Sequence, residues 1–304
     1  MVIEGADFTE TTEKAKAIME KNGGGFAWSA SHNSLFELDK FAVMHCEAPL
    51  TRQRRARPEL RLRGQLVKEV DHMRTLGVMI DRHLTWRVQA DYSIGRGTDY
   101  VLAYRRLAKS RAGLDPRLMR TLYQSVAVPK MTYGLEVWYV PIHRVNGHKR
   151  DSGSVGYTRR FAKIQRIAAL AITGALRTSP NDLIDLHANI LPADLLLSKI
   201  IFRTTARLCT LPSSHPLHPV VRRCTHYVQK HRSALHEALH IFRLKPTEIE
   251  TIIPAQCPIS YVPPYTTSIA ANKEDAKKAD IADRALLRVY SDGSGYNGKA
   301  GASA

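Results

Sequence analysis

A chain of 304 residues is long enough for two domains, and a hydrophobic fraction of 44% excludes wholesale disorder. Its formal charge of +17 and isoelectric point near 9.9 favour a polyanionic partner, nucleic acid ahead of an anionic membrane. No apolar run has the length of a membrane span and no signal-peptide core follows Met1, so an intracellular setting, nucleus or cytoplasm, with no membrane partner is expected. Cys46, Cys209, Cys224 and Cys257 are scattered without a Cys-x-x-Cys pair, which points to reduced thiols rather than a disulfide framework.

The first predicted element is a helix from Asp7 to Asn22. Asp7 and Glu10 have capping-box spacing, Ala15, Ile18 and Met19 form an apolar stripe, and Gly23-Gly24-Gly25 stops it. Residues 35–45 alternate as a strand would, through Phe36, Leu38, Phe41 and Val43, with one break in phase at Asp39-Lys40. Residues 51–63 then read as a basic loop: Arg52, Arg54, Arg55, Arg57, Arg61 and Arg63 against a single Glu59. Leu76 to Asp81 and Leu84 to Trp86 fit two short strands joined near Asp81-Arg82.

Beyond Trp86 the pattern is helical. A helix over 100–109 would turn Val101, Leu102 and Leu107 inward and Arg105, Arg106, Lys109 and Arg111 outward. Asp115-Pro116 is an N-cap and first-turn pair opening a helix through Leu118, Met119, Leu122, Tyr123 and Val126, which should yield to Pro129. A polar loop over 143–157 precedes the clearest amphipathic helix of the chain. Its apolar face is Phe161, Ile164, Ile167, Ala168, Ala171 and Ile172; its basic face is Arg159, Arg160, Lys163 and Arg166. Helices are expected to start at Ser179-Pro180-Asn181-Asp182 and at Leu191-Pro192-Ala193-Asp194. A Pro-bearing hinge follows over 211–220, then a helix over 221–242, a linker over 245–275, and a tail with Asp292-Gly293 and Asn297-Gly298 turns.

Three features carry candidate chemistry. His236-Glu237-Ala238-Leu239-His240 matches the H-E-x-x-H pattern, in which histidines one helical turn apart grip zinc and the glutamate is the base. No third ligand accompanies it, so a His-bearing surface helix is the better reading and a zinc metallopeptidase a remote alternative. His215, His218, Cys224 and His226 form a second cluster whose spacing matches no common zinc finger. The arginines are more informative, because the guanidinium fork matches phosphate geometry. Basic faces at 52–63, 105–111 and 159–166 suggest an electropositive groove that binds backbone phosphates without reading sequence.

Taken in order, these pieces resemble the downstream half of the polyprotein of fungal non-LTR, LINE-like, Tad-type retrotransposons. Val2-Ile3-Glu4-Gly5 resembles the segment after a reverse transcriptase's catalytic Y-x-D-D turn. Trp28-Ser29, His32-Asn33-Ser34, Phe36-Glu37 and Lys40 resemble palm motif D. Leu76 through Trp86 resembles the strand pair that grips the primer, and Leu122-Tyr123 through Trp138 the thumb. Gln165-Arg166 through Ile172-Thr173-Gly174-Ala175-Leu176-Arg177-Thr178-Ser179-Pro180 is the most specific string. Tyr290-Ser291-Asp292-Gly293-Ser294 resembles the first strand of a type 1 ribonuclease H.

The resemblance implies an α+β fold. It divides into a palm remnant over 1–86, a helical thumb over 87–180, a helical connection over 181–244, a linker over 245–284 and the first strands of ribonuclease H over 285–304. It implies that Lys40 assists departure of pyrophosphate. Asp292 would be one of about four carboxylates holding two magnesium ions in the intact enzyme. The expected partner is a primed RNA template or RNA–DNA hybrid. The sequence contains no Y-x-D-D, and the fingers, the upstream palm aspartate and the remaining ribonuclease H acids are expected to lie outside it. The chain alone is therefore expected to bind no magnesium and to catalyse neither polymerisation nor hydrolysis. A generic basic nucleic-acid-binding protein is the alternative.

Overall fold

A computed structural model describes residues 1–32, 34–47, 56–108, 113–144, 150–226, 232–253, 270, 273–283, 293–296 and 299–302. It divides into two compact units, Met1–His45 with Leu50–Val70 and Ala255–Ala304, and Cys46–Pro49 with Asp71–Pro254.

In the first unit, α1 (Phe8–Glu20) begins as the sequence predicts. Asp7 accepts from the Glu10 amide at 2.8 Å, and Glu10 reaches back to the Ala6 amide at 2.6 Å, one residue before the reciprocal position of a capping box. The glycine triplet ends α1 but also starts α2 (Gly25–Ser31). The strand predicted over 35–45 survives only as β1 (Ala42–Val43), after a 3-10 turn at Leu38–Lys40. The phase break at Asp39-Lys40 is the reason: the turn there brings Leu38 and Phe41 to the same small core. The basic segment ends in a hairpin of β2 (Arg61–Leu62) and β3 (Gln65–Leu66), and β4 (Lys68–Glu69) pairs in parallel with β1. Ala15, Phe26, Leu60, Leu62 and Val67 are buried together at the centre.

The second unit opens with the hairpin β5 (His72–Thr75) and β6 (Val78–Asp81). Its turn is Leu76-Gly77, both at positive φ (48° and 84°), as a primed hairpin turn requires, and not Asp81-Arg82 as the sequence suggested. Residues 84–86 form no strand. The Asp81 carboxylate accepts from the amides of Trp86 (2.7 Å), Thr85 (2.9 Å) and His83 (3.2 Å), and this turn leads into α3 (Arg87–Arg105). Gln89 on α3 accepts from the Met79 amide at 2.8 Å and ties the hairpin to the helix. α3 starts a full three turns before the predicted helix. Of the expected inner residues Val101 is buried, whereas Leu102 and Leu107 are 38% and 44% exposed. The buried stripe runs instead through Ile94, Gly97 and Val101. A Cβ at Gly97 would overlap the Met131 side chain, so glycine permits this close approach.

Asp115 caps α4 (Pro116–Leu122) by accepting from the Arg117 amide at 2.7 Å. Pro129 does not end the helical path. A π-turn at Tyr123–Ala127 shifts the hydrogen-bond register, so Pro129 falls in the first turn of α5 (Val128–Thr132), where no N–H is needed. After β7 (His143–Arg144) and β8 (Asp151–Ser152) comes α6 (Val155–Thr173), the central helix, which packs on α3, α4, α7 (Asn181–Ala188) and α8 (Ala193–Cys209). Phe161, Ile164, Ala168 and Ile172 are buried as predicted. Each such side chain contributes roughly 1.5–3 kcal/mol of burial, less for alanine. The single helix predicted over 221–242 is two, α9 (His218–Arg223) and α10 (Ala234–Ile241), because Ser233 caps a new start.

The predicted linker contains α11 (Lys273–Ala282). Gly293, expected in a turn, opens β9 (Gly293–Tyr296), which pairs antiparallel with β10 (Lys299–Ala302). Among the described residues no helix is long and apolar enough to cross a membrane.

One polar knot holds the second unit. Gln165, 1% exposed, donates to the Leu191 carbonyl (2.9 Å) and to Asp185 (3.2 Å), and accepts from the Tyr123 hydroxyl (3.1 Å). Burial pushes the Tyr123 hydroxyl far above its ordinary pKa, so it remains a donor. Replacing Gln165→Ala strands these three groups, and urea denaturation should show a loss of about 2–4 kcal/mol. Asp81 offers a pH test. Burial alone would raise its pKa, but the hydrogen bonds from Thr85, Trp86 and His83 prevail and hold it below the ordinary carboxylate value. Its stabilisation is therefore complete above an unfolded pKa of about 3.9 and lost as pH falls through the folded value. Asp81→Asn should cost about 1–2 kcal/mol at neutral pH, a deficit that shrinks below about pH 4.

Candidate nucleic-acid interface

The basic residues singled out from the sequence divide by what their side chains touch. On α6, heptad geometry sends Arg159 and Lys163, one turn apart, away from the buried stripe, and both are exposed. Neither has an ion pair or hydrogen bond to another described residue. Arg105 ends α3 and Arg106 follows it; both are exposed, and neither side chain has an ion pair or hydrogen bond to another described residue. These four side chains have no partner among the described residues and can meet phosphates.

Arg160 and Arg166, on the same helix, are engaged. Arg160 forms an ion pair with Asp91 at 2.5 Å. Arg166 donates to the carbonyls of Arg177 (2.5 Å) and Ser179 (2.9 Å) and to the Asn181 side chain, fastening the segment between α6 and α7 onto α6. Its role in the structure is internal, which its place on a basic face did not reveal.

Of the arginine segment 51–63, Arg52, Arg54 and Arg55 lie outside the described residues, as do Lys109 and Arg111 further along. Arg57 pairs with Glu69 at 3.6 Å and Arg61 with Glu59 at 2.9 Å. The Arg63 guanidinium lies 4.2 Å from the centre of the Phe26 ring. These three belong to the first unit, and each already has a local partner. Lys40, the residue matched to motif D, is exposed at the end of the 3-10 turn and pairs with Glu37. Asp292 lies outside the described residues.

Several of the metal candidates have other employment. His236 occupies the third position of α10, where its Nδ1 lies 2.8 Å from the Ser233 hydroxyl in a capping box, and Glu237 pairs with Arg232 at 3.4 Å. Cys224 is buried with Cys209, Val221 and Leu239, and desolvation raises its thiol pKa. His215 accepts from the Leu217 amide at 3.1 Å. Among the described residues no group of three or more His, Cys, Asp or Glu is placed to hold a metal ion. Cys46, Cys209 and Cys224 are free thiols.

Sequence reasoning missed a cleft of about 440 Å³ in the second unit, lined by Trp86, Arg87, Asp91, Trp138, Tyr157 and Arg160 among others. Trp86 stands at φ 61° at the entrance to α3, held by Asp81 through its amide. The Trp138 ring meets Tyr157 edge-on at 4.8 Å, and Tyr157 donates to the Met131 carbonyl at 2.6 Å. Burial pushes the Tyr157 hydroxyl up to about 12, so it stays protonated at neutral pH. The adjacent Trp86-Arg87 pair was a signal in the sequence, but only the fold brings Trp138 and Arg160 to it.

The chain is similar to proteins of R1-type retrotransposable elements. It is 25% identical over 186 residues to a 115 kDa protein in type-1 retrotransposable element R1DM of Drosophila melanogaster, covering 60% of this chain and 17% of that protein. It is 24% identical over 129 residues to the retrovirus-related Pol polyprotein from type-1 retrotransposable element R1 3 of Nasonia vitripennis, covering 42% of this chain and 33% of that protein. The matched regions thus span a third or less of these relatives. No family profile matches the sequence, and no solved structure matches it. The relationship is to non-LTR retrotransposon Pol proteins, a broader statement than the Tad-type resemblance.

Proposed function

We propose that this chain is part of a retrotransposon reverse transcriptase of Tad-like type, comprising an α+β palm end, a helical thumb and connection, and the opening strands of a ribonuclease H. Its role is to hold a template–primer duplex by backbone phosphates. The observation that supports this reading is the outer face of α6, where Arg159 and Lys163 stand exposed and without a partner among the described residues, on a helix packed against α3, α4, α7 and α8. Cations held on a rigid scaffold meet phosphates without the entropy loss that a loose basic tail suffers. Arg105 and Arg106 extend the same chemistry along the end of α3.

Chemistry on the duplex is assigned elsewhere in the polyprotein. Two-metal polymerisation needs the paired carboxylates of a Y-x-D-D turn, and this sequence has none. Magnesium belongs to the intact enzyme, where Asp292 would serve as one of its ligands. The chain by itself binds a primed RNA template and leaves the primer unextended.

Titration of the full chain with an RNA–DNA duplex at several salt concentrations tests the proposal. Affinity should fall steeply with salt, with little dependence on base sequence. The double variant Arg159→Ala/Lys163→Ala should flatten the slope of log affinity against log salt by about two. An unchanged slope would remove α6 from the interface.

A further inference from the structure

We infer that the cleft between the start of α3, Trp138 and the first turn of α6 is a nucleotide site, accepting one unpaired base together with its phosphate. Its volume of about 440 Å³ lies within the range of small-ligand pockets. This reading goes beyond duplex binding by Arg159 and Lys163, because it concerns other residues and a different ligand shape.

Two kinds of wall meet there. One is aromatic: Trp86 and Trp138 both line the cleft, and indole faces are the platforms on which unpaired bases stack. The Trp138 Nε1–H is itself buried and has no acceptor among the described residues.

The other wall is cationic. Arg87 is exposed and has no ion pair among the described residues, and Arg160 also lines the cleft. Asp91, which holds Arg160, offsets one of the two positive charges, so the wall keeps a net single positive charge. The first turn of α6 adds to this wall through Gly156. It has no side-chain cap, because the Ser154 hydroxyl accepts from the Val140 amide at 3.0 Å instead. Uncapped amides at the start of a long helix favour an anion beside the arginines. Two indoles and a cationic wall in one cavity match a nucleotide better than a bare phosphate or a neutral apolar ligand.

The test is calorimetric titration of the full chain with adenosine monophosphate, adenosine and inorganic phosphate, followed in parallel by tryptophan fluorescence. The chain has three tryptophans, and the third, Trp28, lies in the other unit stacked on His32. The monophosphate should bind saturably and tighter than either fragment, and should quench fluorescence equally in Trp28→Phe. Arg87→Ala, a surface change, should weaken it about tenfold. Trp138→Phe, which shrinks the aromatic surface lining the cleft, should weaken it about fivefold. Asp91→Asn should tighten it roughly twofold to fivefold. Binding of the monophosphate no tighter than of its fragments, or affinity unchanged in both Arg87→Ala and Trp138→Phe, would overturn the assignment. Unchanged duplex binding in Arg159→Ala/Lys163→Ala with intact nucleotide binding would sink the phosphate face and leave the cleft standing.

Discussion

The Gln165 carboxamide is the constraint on which the helical unit depends. Both of its N–H groups and one lone pair are committed, to Leu191, Asp185 and Tyr123, and these partners lie on three different segments. A buried amide tolerates no slippage, because any rotation of α6 would leave several polar groups without partners in a low-dielectric interior. Apolar contacts alone are nearly indifferent to small shifts between helices. The polar knot is what converts a greasy face of α6 into a single register against the π-turn and α7. Arg166, the next residue, completes it from outside by holding the carbonyls of Arg177 and Ser179. The string from Gln165 to Pro180 that carries the most specific resemblance is thus also the string that fixes packing.

Everything proposed about binding inherits its geometry from that register. With α6 locked, its two outer cations stand at a fixed spacing, and its first turn closes one side of the cleft. The other side comes from Asp81, whose carboxylate gathers the amides leading into α3 and so places Trp86 and Arg87. Two charged residues of opposite role, one an internal cap and one an internal clamp, thereby organise a surface whose own charges are left free. The four arginines and lysines of α6 illustrate the division. Arg159 and Lys163 face water, Arg160 shares a carboxylate, and Arg166 is consumed by the backbone.

Several elements were legible in the sequence because their signals are local. Asp7 with Glu10, and Asp115 with Pro116, announce helix starts through hydrogen bonds that span only a few residues. The period of Phe161, Ile164, Ala168 and Ile172 announces the buried side of α6 for the same reason. Errors came where a distant partner or an unforeseen local turn decided. Leu102 and Leu107 follow a plausible inner stripe, yet the stripe that packs contains Gly97, a residue no hydropathy pattern would choose. Pro129 reads as a stop, but a wider turn upstream absorbs it. The Asp81-Arg82 hairpin was misplaced because Asp81 spends its carboxylate on the following turn, while Leu76-Gly77 makes the reversal.

The sequence by itself determined the charge, the starts of several helices, the apolar side of α6 and the absence of a Y-x-D-D turn, since each is a matter of composition or of spacing within a few turns. It also placed the cations on outward positions. Only the tertiary structure decided which of those cations remain free, because an ion pair such as Arg160 with Asp91 or a clamp such as Arg166 depends on residues that the fold brings together. It alone assembled Trp86, Arg87, Trp138 and Arg160 around one cleft. The physical reason is that a site is a coincidence in space, and periodicity along one helix carries no information about what faces it.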